Sequence, residues 1–168
     1  MSNSTTIAVH SENTDLMRLF SSSLAPLAKH AARKNVTLRV EAHGEIPAVA
    51  VDRNKLAWCV ATLAGNALRY VAETHAVGAA GTILIQIEHE PAAGDTVAIS
   101  VHDDGPGIPS ASLPYLFESR VGVLHADGLA LTLIREIIAA HGGHIEVQTQ
   151  TGKETHGTTI TLRVPRCA

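Results

Sequence analysis

The sequence predicts a two-layer α/β sandwich in which a mixed β-sheet carries about three helices on one face. Apolar residues make up 45% of the 168 residues and charged residues 17%, which is typical of one globular domain with a real core. Segments with helical spacing of apolar residues alternate with short segments of β-type alternation. Aromatic residues amount to only 3%, so the core must be aliphatic. We expect residues 1–13 to form a flexible tail and residues 14–168 to form the domain.

Composition and charge argue against several classes of function. The net charge is −3 and there is no basic tract, so a nucleic-acid-binding role is not expected. No apolar run reaches the ~18 residues that indicate a membrane-spanning helix. Cys59 and Cys167 fit a reducing compartment better than a disulfide framework. We therefore expect a cytoplasmic domain that is monomeric in isolation.

The first half of the chain predicts two helices separated by short strands. Residues 14–33 have apolar residues at helical spacing, and residues 37–41 and 48–51 are extended. Asp52 is placed to act as an N-cap for a helix that runs to about Ala72. One stripe of that helix is apolar and is formed by Leu56, Val60, Ala64, Ala67 and Val71.

The second half predicts two strands, a glycine-proline turn, a helix and a closing hairpin. Strands are expected at 83–87 and 97–101, a turn at 103–109, a short helical turn at 113–117, a helix at 129–140 that ends at Gly142 and Gly143, and strands at 145–149 and 158–164.

Asn66 is the first candidate functional residue. It lies at the edge of the apolar stripe, with Thr62, Arg69 and Tyr70 around it. Taken alone, an amide at this position is best explained by local hydrogen bonding. Its oxygen is also a suitable hard ligand for Mg²⁺, which otherwise keeps waters and phosphate oxygens.

The segment Asp103–Pro109 is the second candidate, because it combines acidic residues with glycines directly after a strand. A plain tight turn is an equally good explanation of this segment alone. An ionised Asp103 can accept a hydrogen bond from the exocyclic amine of adenine. Gly105 and Gly107 allow the backbone to approach a flat ligand closely.

The third candidate is the segment that opens the last helix, from Asp127 to Leu133. Taken alone, Gly128 is an ordinary glycine before a helix. The free N–H groups and the positive dipole end of a helix N-terminus also suit a phosphate group.

Together these segments resemble the GHKL superfamily, named for gyrase, a heat-shock chaperone, histidine kinases and a mismatch-repair ATPase, and within it the histidine kinases. The resemblance covers about residues 14–165. The matching segments are Gly65–Tyr70 (similar to the N box), Asp103–Pro109 (first glycine box), Leu113–Glu118 (F box), Gly128–Leu133 (second glycine box), and Ala140–Val147 with Gly157–Pro165 (closing hairpin).

The resemblance implies a Bergerat fold that binds ATP and Mg²⁺. In that family the Asn binds magnesium, the Asp reads adenine and the glycine-box backbone surrounds the phosphates. The residues it assigns to catalysis are Asn66 and Arg69, with Asn66 the metal ligand. The residues it assigns to nucleotide binding are Asn66, Tyr70, Asp103, Gly105, Gly107, Ile108, Gly128, Leu129 and Thr158.

The implied activity is that of a protein histidine kinase, which transfers the γ-phosphoryl group of ATP to a histidine. None of the ten histidines lies in a convincing two-helix hairpin. We therefore expect the acceptor to be a separate phosphoacceptor domain or a histidine phosphotransfer protein, which passes the group to a response regulator. Arg120 and His125, in the 118–127 lid, are further candidates for neutralising phosphate charge.

Two other functions stay open. Ala126 and Ala130 stand where the second glycine box has glycines, and a methyl group can block phosphate approach or a φ > 0 backbone. A degenerate, non-catalytic nucleotide-binding or protein-interaction module would carry such changes. An anti-sigma serine kinase is less favoured, because Thr62 stands where that class has a basic glutamate.

Overall fold

The computed structural model describes residues 6–74, 79–117 and 126–167. Its helices are α1 (Leu16–Ser23), α2 (Ala25–Arg33), α3 (Arg53–Thr74) and α4 (Ala126–Ala140), with a 3₁₀ turn at Leu113–Tyr115. Its strands are β1 (Glu12–Thr14), β2 (Val36–His43), β3 (Val49–Val51), β4 (Gly81–Glu90), β5 (Thr96–Asp103), β6 (His144–Thr151) and β7 (His156–Pro165).

The main sheet has five strands in the order β2-β4-β5-β7-β6. Strands β2 and β4 run parallel, and the remaining neighbours are antiparallel, so the sheet is mixed as predicted. The register brings Asp103 of β5 opposite Thr158 of β7, and Thr158 opposite Thr149 of β6. Three polar side chains therefore lie in one row across three strands, at one end of the sheet.

The core lies between one face of this sheet and the helices, and it is aliphatic as predicted. Every residue of the apolar stripe predicted for α3 is buried, as are the alternating isoleucines of β4. Helix α4 adds Ile134 and Ile138, which are fully buried. Together these residues form a single hydrophobic cluster. The predicted α/β sandwich is thus confirmed, and no helix within the described ranges is both long and apolar enough to cross a membrane.

The segment predicted as one helix from residue 14 to 33 is two helices. The break falls at Leu24, which ends α1 and begins α2, and Pro26 occupies the first turn of α2. Proline has no N–H to donate and its ring clashes with the carbonyl of the preceding turn, so the first helix stops there. Four helices are therefore present among the described residues, where the sequence predicted about three.

Several element boundaries also differ from the prediction. Glu12 and Asn13, which the sequence assigned to the flexible tail, form β1 with Thr14 and pair antiparallel with β3. Helix α4 begins at Ala126, three residues before the predicted start at Leu129. The sequence did not reveal β1, because this strand is short and polar and shows no apolar alternation. It forms through backbone pairing with β3.

Asp52 joins three separate parts of the fold. As predicted, it caps α3: its Oδ1 accepts from the N–H of Lys55 at 3.1 Å. Its Oδ2 accepts from the backbone N–H of His10 at 3.0 Å and from Lys55 Nζ at 3.2 Å. Its own N–H donates to Nε2 of His141 at 2.9 Å, while Nδ1 of His141 lies 2.8 Å from the carbonyl of Ile137. The start of α3 is thereby tied to the end of α4.

We predict that the charge of Asp52 stabilises the fold. Burial alone raises the pKa of this carboxyl, but the N–H groups of His10 and Lys55 and the Lys55 ammonium outweigh it and lower the pKa to about 2. A lowered pKa means that the stabilisation is present above the ordinary pKa of 3.8 and is lost as the pH falls through about 2. Asp52→Asn, which still caps a helix, should unfold at lower urea than the wild type at pH 7, and the gap should shrink between pH 4 and pH 2.

Asp15→Asn is the matched control, since Asp15 is the exposed N-cap of α1 and accepts from the N–H of Arg18 at 3.1 Å. This variant measures how replacing a carboxylate by an amide at an exposed helix N-terminus changes the stability. A stability gap for Asp52→Asn that stays constant down to pH 2 would contradict the assignment.

Candidate nucleotide-binding site

Asp103, at the end of β5, is a buried carboxylate with spare acceptor capacity. Its residue is 8% exposed, and its Oδ1 accepts from the N–H of Gly105 at 2.9 Å. Burial raises the pKa of Asp103, and the backbone N–H groups of Gly105 and Thr158 only partly oppose this rise. A ligand N–H group that reaches this carboxylate would relieve the desolvation of its charged form.

Asp104, the neighbouring carboxylate, has a different task. Its Oδ1 accepts from the N–H of Thr82 at 3.0 Å, and its own N–H points to the carbonyl of Thr82 at 3.4 Å. It therefore fastens the start of the turn to β4. Of the two adjacent aspartates, Asp103 is the one whose carboxylate is buried at the end of the strand.

The turn formed by residues 103–109, here called the adenine turn for the role that the sequence predicts, is held by the β6–β7 hairpin through two side chains. The N–H of Ile108 donates to Oγ1 of Thr149 at 2.7 Å. The Nδ1–H of His156 donates to the carbonyl of Gly105 at 2.7 Å. The sequence prediction missed both side chains, because a threonine that ends a strand and a histidine in a polar segment carry no signal without the hairpin register.

Two glycines of the site are required by backbone packing. Gly107 has φ +80°, and a Cβ there would lie 2.0 Å from the carbonyl oxygen of Gln150 on β6. Gly157 has φ +140°, and its Cβ would lie 2.4 Å from the carbonyl oxygen of Asp103. The sequence argument for Gly107, close approach to a ligand, is therefore incomplete, because the hairpin already excludes any side chain at this position.

Thr158 completes the polar row at the end of the sheet. It is 7% exposed, and its Oγ1 lies 3.0 Å from Oγ1 of Thr149. The structure thus brings together five of the predicted nucleotide-binding positions: Asp103, Gly105, Gly107, Ile108 and Thr158.

Helix α3 flanks the adenine turn and carries the other predicted residues of the first half. Val71 Cγ2 lies 3.6 Å from the position that a Cβ on Gly105 would occupy. Asn66 is half-buried, and its amide has no hydrogen-bond partner in the described part of the chain. Arg69 and Tyr70 are exposed, and the Arg69 guanidinium lies 5.3 Å from the centre of the Tyr70 ring.

Helix α4 contains the segment that resembles the second glycine box. Gly128 and Leu129 belong to its first turn. The hydroxyl of Thr132 donates to the carbonyl of Phe117 at 2.5 Å, and the Arg135 guanidinium lies 5.3 Å from the centre of the Phe117 ring. The chain that enters the predicted lid is thus fixed to the helix on which the lid ends. Residues 118–125, with Arg120 and His125, lie outside the described residues.

The donor set suits a metal held largely by phosphate. No group of three or more histidine, cysteine, aspartate or glutamate side chains that could hold a metal occurs within residues 6–74, 79–117 and 126–167. A single amide oxygen, as Asn66 offers, fits Mg²⁺, which keeps waters and phosphate oxygens as its other ligands.

We predict that Gly107→Ala destabilises the domain more than a left-handed backbone alone explains. Gly94, in the β4–β5 turn, has φ +78° with open space around its Cβ position, so Gly94→Ala is the matched control. Gly94→Ala should lower the free energy of unfolding by about 1 kcal/mol, the cost of a left-handed backbone. Gly107→Ala should lower it at least twice as much in urea denaturation. Equal losses of unfolding free energy in the two variants would show that contact with the hairpin adds no cost at position 107.

Curated relatives of the chain are sensor proteins. The chain is 33% identical over 142 residues to the alginate biosynthesis sensor protein KinB of Pseudomonas aeruginosa, covering 83% of this chain and 22% of KinB. It is 32% identical over 152 residues to the sensor histidine kinase ZraS of Escherichia coli, covering 90% of this chain and 30% of ZraS. The chain therefore spans less than a third of the length of either relative.

Solved structures share the fold. Full-length ShkA in complex with AMPPNP superposes with a TM-score of 0.80 at 24% identity, covering 95% of this chain and 32% of ShkA. The histidine kinase ThkA in complex with the response regulator protein TrrA superposes with a TM-score of 0.73 at 23% identity, covering 94% of this chain and 42% of ThkA.

A family model described as histidine kinase-, DNA gyrase B- and HSP90-like ATPase matches residues 51–167, which include Asn66, the adenine turn and the closing hairpin. The chain therefore belongs to the histidine kinase-, DNA gyrase B- and HSP90-like ATPase family, as a catalytic ATP-binding domain of the sensor histidine kinase type.

Proposed function

We propose that this domain binds ATP with Mg²⁺ and transfers the γ-phosphoryl group to a histidine on a separate helical phosphoacceptor domain or histidine phosphotransfer protein. The observation that carries the proposal is the buried Asp103 carboxylate, held by the adenine turn with acceptor capacity to spare. The half-buried amide of Asn66, without a partner among the described residues, supports the metal assignment.

The adenine base is proposed to bind against Asp103 and Thr158. An ionised carboxylate only accepts hydrogen bonds, so it suits the exocyclic amine of adenine. Gly105, Gly107 and Ile108 would form the wall of the pocket beneath the base. Tyr70 lies on α3 next to Val71 and is 41% exposed, and it is proposed to cover the ligand.

The phosphates are proposed to lie between α3 and the start of α4. The first turn of α4 supplies the backbone N–H groups of Gly128 and Leu129 and the positive end of the helix dipole. Arg69 would add positive charge on the α3 side. Bound at Asn66, Mg²⁺ would supply charge neutralisation to the phosphate oxygens.

The transfer itself is mainly a matter of positioning. The acceptor imidazole nitrogen forms a bond to the γ-phosphorus while the bond from that phosphorus to the bridging oxygen of ADP breaks, and ADP leaves. Thr62, at the position where a glutamate would activate a hydroxyl, has no basic carboxylate, so hydrolysis by water should be slow. His10 lies outside any helix, so it does not belong to a two-helix hairpin of the kind expected for the acceptor.

The acceptor is therefore expected in trans, and a response regulator is the expected final recipient. The ThkA–TrrA complex supports the latter, since a histidine kinase with this fold was solved together with a response regulator. The free thiol of the buried Cys59, together with the requirement for ATP, supports a cytoplasmic site of action.

A non-catalytic regulatory module is the second candidate, and Ala126 and Ala130 favour it. The structure removes part of that argument: Ala130 lies inside helix α4, where an alanine needs no left-handed backbone and is more favourable than glycine. The remaining argument concerns space for phosphate at the start of the helix.

We predict that Mg²⁺ strengthens the binding of a non-hydrolysable ATP analogue to this domain. Asn66→Ala should remove most of that gain and leave metal-free ADP binding nearly unchanged, because the amide would contact the metal rather than the base. Isothermal titration of both proteins, with and without Mg²⁺, measures the effect. Asn54→Ala, an exposed asparagine at the other end of the same helix, is the control and should bind like the wild type.

Incubation with γ-labelled ATP and helical phosphoacceptor domains of sensor histidine kinases should then place an acid-labile, base-stable label on the acceptor. Absence of binding heat with ATP and Mg²⁺ would contradict the proposal and favour the non-catalytic module. Equal losses in Asn66→Ala with and without metal would show that Asn66 has a structural role.

A further inference from the structure

The imidazole of His156, the first residue of β7, contacts the adenine turn through one defined atom. Its Nδ1 lies 2.7 Å from the carbonyl oxygen of Gly105. A carbonyl oxygen can only accept a hydrogen bond, so Nδ1 carries the proton, and a neutral ring then has its lone pair on Nε2. The contact therefore requires one of the two neutral forms of the ring and makes His156 a donor to the turn.

Gly105 is the residue through which this contact reaches Asp103. Its carbonyl accepts from His156, and its N–H donates to Oδ1 of Asp103 at 2.9 Å. Gly105 is buried, and a Cβ there would lie 2.8 Å from the same Oδ1. Because Gly105 is held on both sides and packs so closely, a shift of its carbonyl also moves the donor that orients the Asp103 carboxylate.

His156 lies outside the hydrophobic core. The residue is exposed, and residues 152–155, which precede it in the β6–β7 hairpin, are exposed as well. Water can replace a hydrogen bond from an exposed donor, so losing this bond costs little stability. The position of the turn and the stability of the domain can therefore be separated at this residue, in contrast to Gly107, where backbone packing decides both.

We infer that His156 is a positioning residue for nucleotide binding, whose Nδ1–H fixes Gly105 and thereby the Asp103 carboxylate. This inference rests on the proposed placement of adenine at Asp103. His156 acts through Gly105 and not on the ligand. Without its hydrogen bond the turn samples other positions, and the apparent affinity for the nucleotide falls with the fraction of molecules that keep the competent one.

The test compares three substitutions of His156 by isothermal titration with ADP at pH 8 without metal. His156→Ala removes the donor and should weaken ADP binding about fivefold, the effect of one net hydrogen bond. His156→Asn carries an amide nitrogen as many bonds from the backbone as Nδ1, so it should restore most of the affinity. His156→Gln carries its amide nitrogen one bond further out, at the level of Nε2, and should bind like His156→Ala.

His102→Ala is the matched control. The Nδ1 of His102 also lies 2.7 Å from an oxygen, but that oxygen is Oγ1 of Thr159. Side chains alternate along a strand, so His102 and Thr159 lie on the face of the sheet opposite to the buried Asp103. His102→Ala should bind ADP like the wild type, and in urea it should lose about as little stability as His156→Ala.

Unchanged ADP affinity in His156→Ala, with or without a loss of stability, would overturn the inference. Equal affinities of His156→Asn and His156→Gln would also overturn it, and this comparison stands by itself if His156→Ala does not fold. Asp103→Asn separates the two levels. Wild-type ADP binding in that variant would refute the adenine placement and the inference with it, whereas weakened binding there with intact binding in His156→Ala would refute only the role of His156.

Discussion

The proposed site depends on the contacts that the β6–β7 hairpin makes with the adenine turn. The turn has little regular hydrogen bonding of its own, so its shape is imposed by Thr149, His156 and the close backbone contacts at Gly107 and Gly157. These contacts fix the position of Asp103 at the end of β5. A segment more than 40 residues further along the chain therefore decides the geometry of the residue proposed to read the base.

Two buried aspartates in this domain illustrate opposite uses of a carboxylate. Burial alone raises the pKa of Asp52, but the N–H groups of His10 and Lys55 and the Lys55 ammonium outweigh this effect and lower the pKa to about 2. The charge of Asp52 therefore stabilises the fold at neutral pH. The pKa of Asp103 is raised by burial, because its donors do not compensate, so its stabilising contribution is lost as the pH rises through that pKa. The amine of the proposed adenine ligand would supply the missing donor at Asp103.

Much of this architecture could be predicted from the sequence, because periodicity reports burial directly. The stripe on α3, the strands β4 and β5 and the Asp52 cap follow from local patterns, and all are found. The break at Leu24 could have been foreseen from Pro26, whereas β1 could not, since a short polar strand exists only through pairing with β3. Asp103 and Asn66 could be singled out as candidates from residue type and motif resemblance. Thr149 and His156 could not, because their importance arises from a register that local sequence does not encode.

The central claim, that the hairpin-held turn receives the base, is tested most directly by backbone amide NMR during a metal-free ADP titration. We expect saturable shifts at the amides of Gly105, Ile108 and Thr158, with GDP producing much smaller shifts at equal concentration. The alternative location is the apolar groove between α3 and α4 that is lined by Trp58, Leu133 and Ile137. Shifts confined to that groove, with the amides of the adenine turn unmoved, would contradict the account.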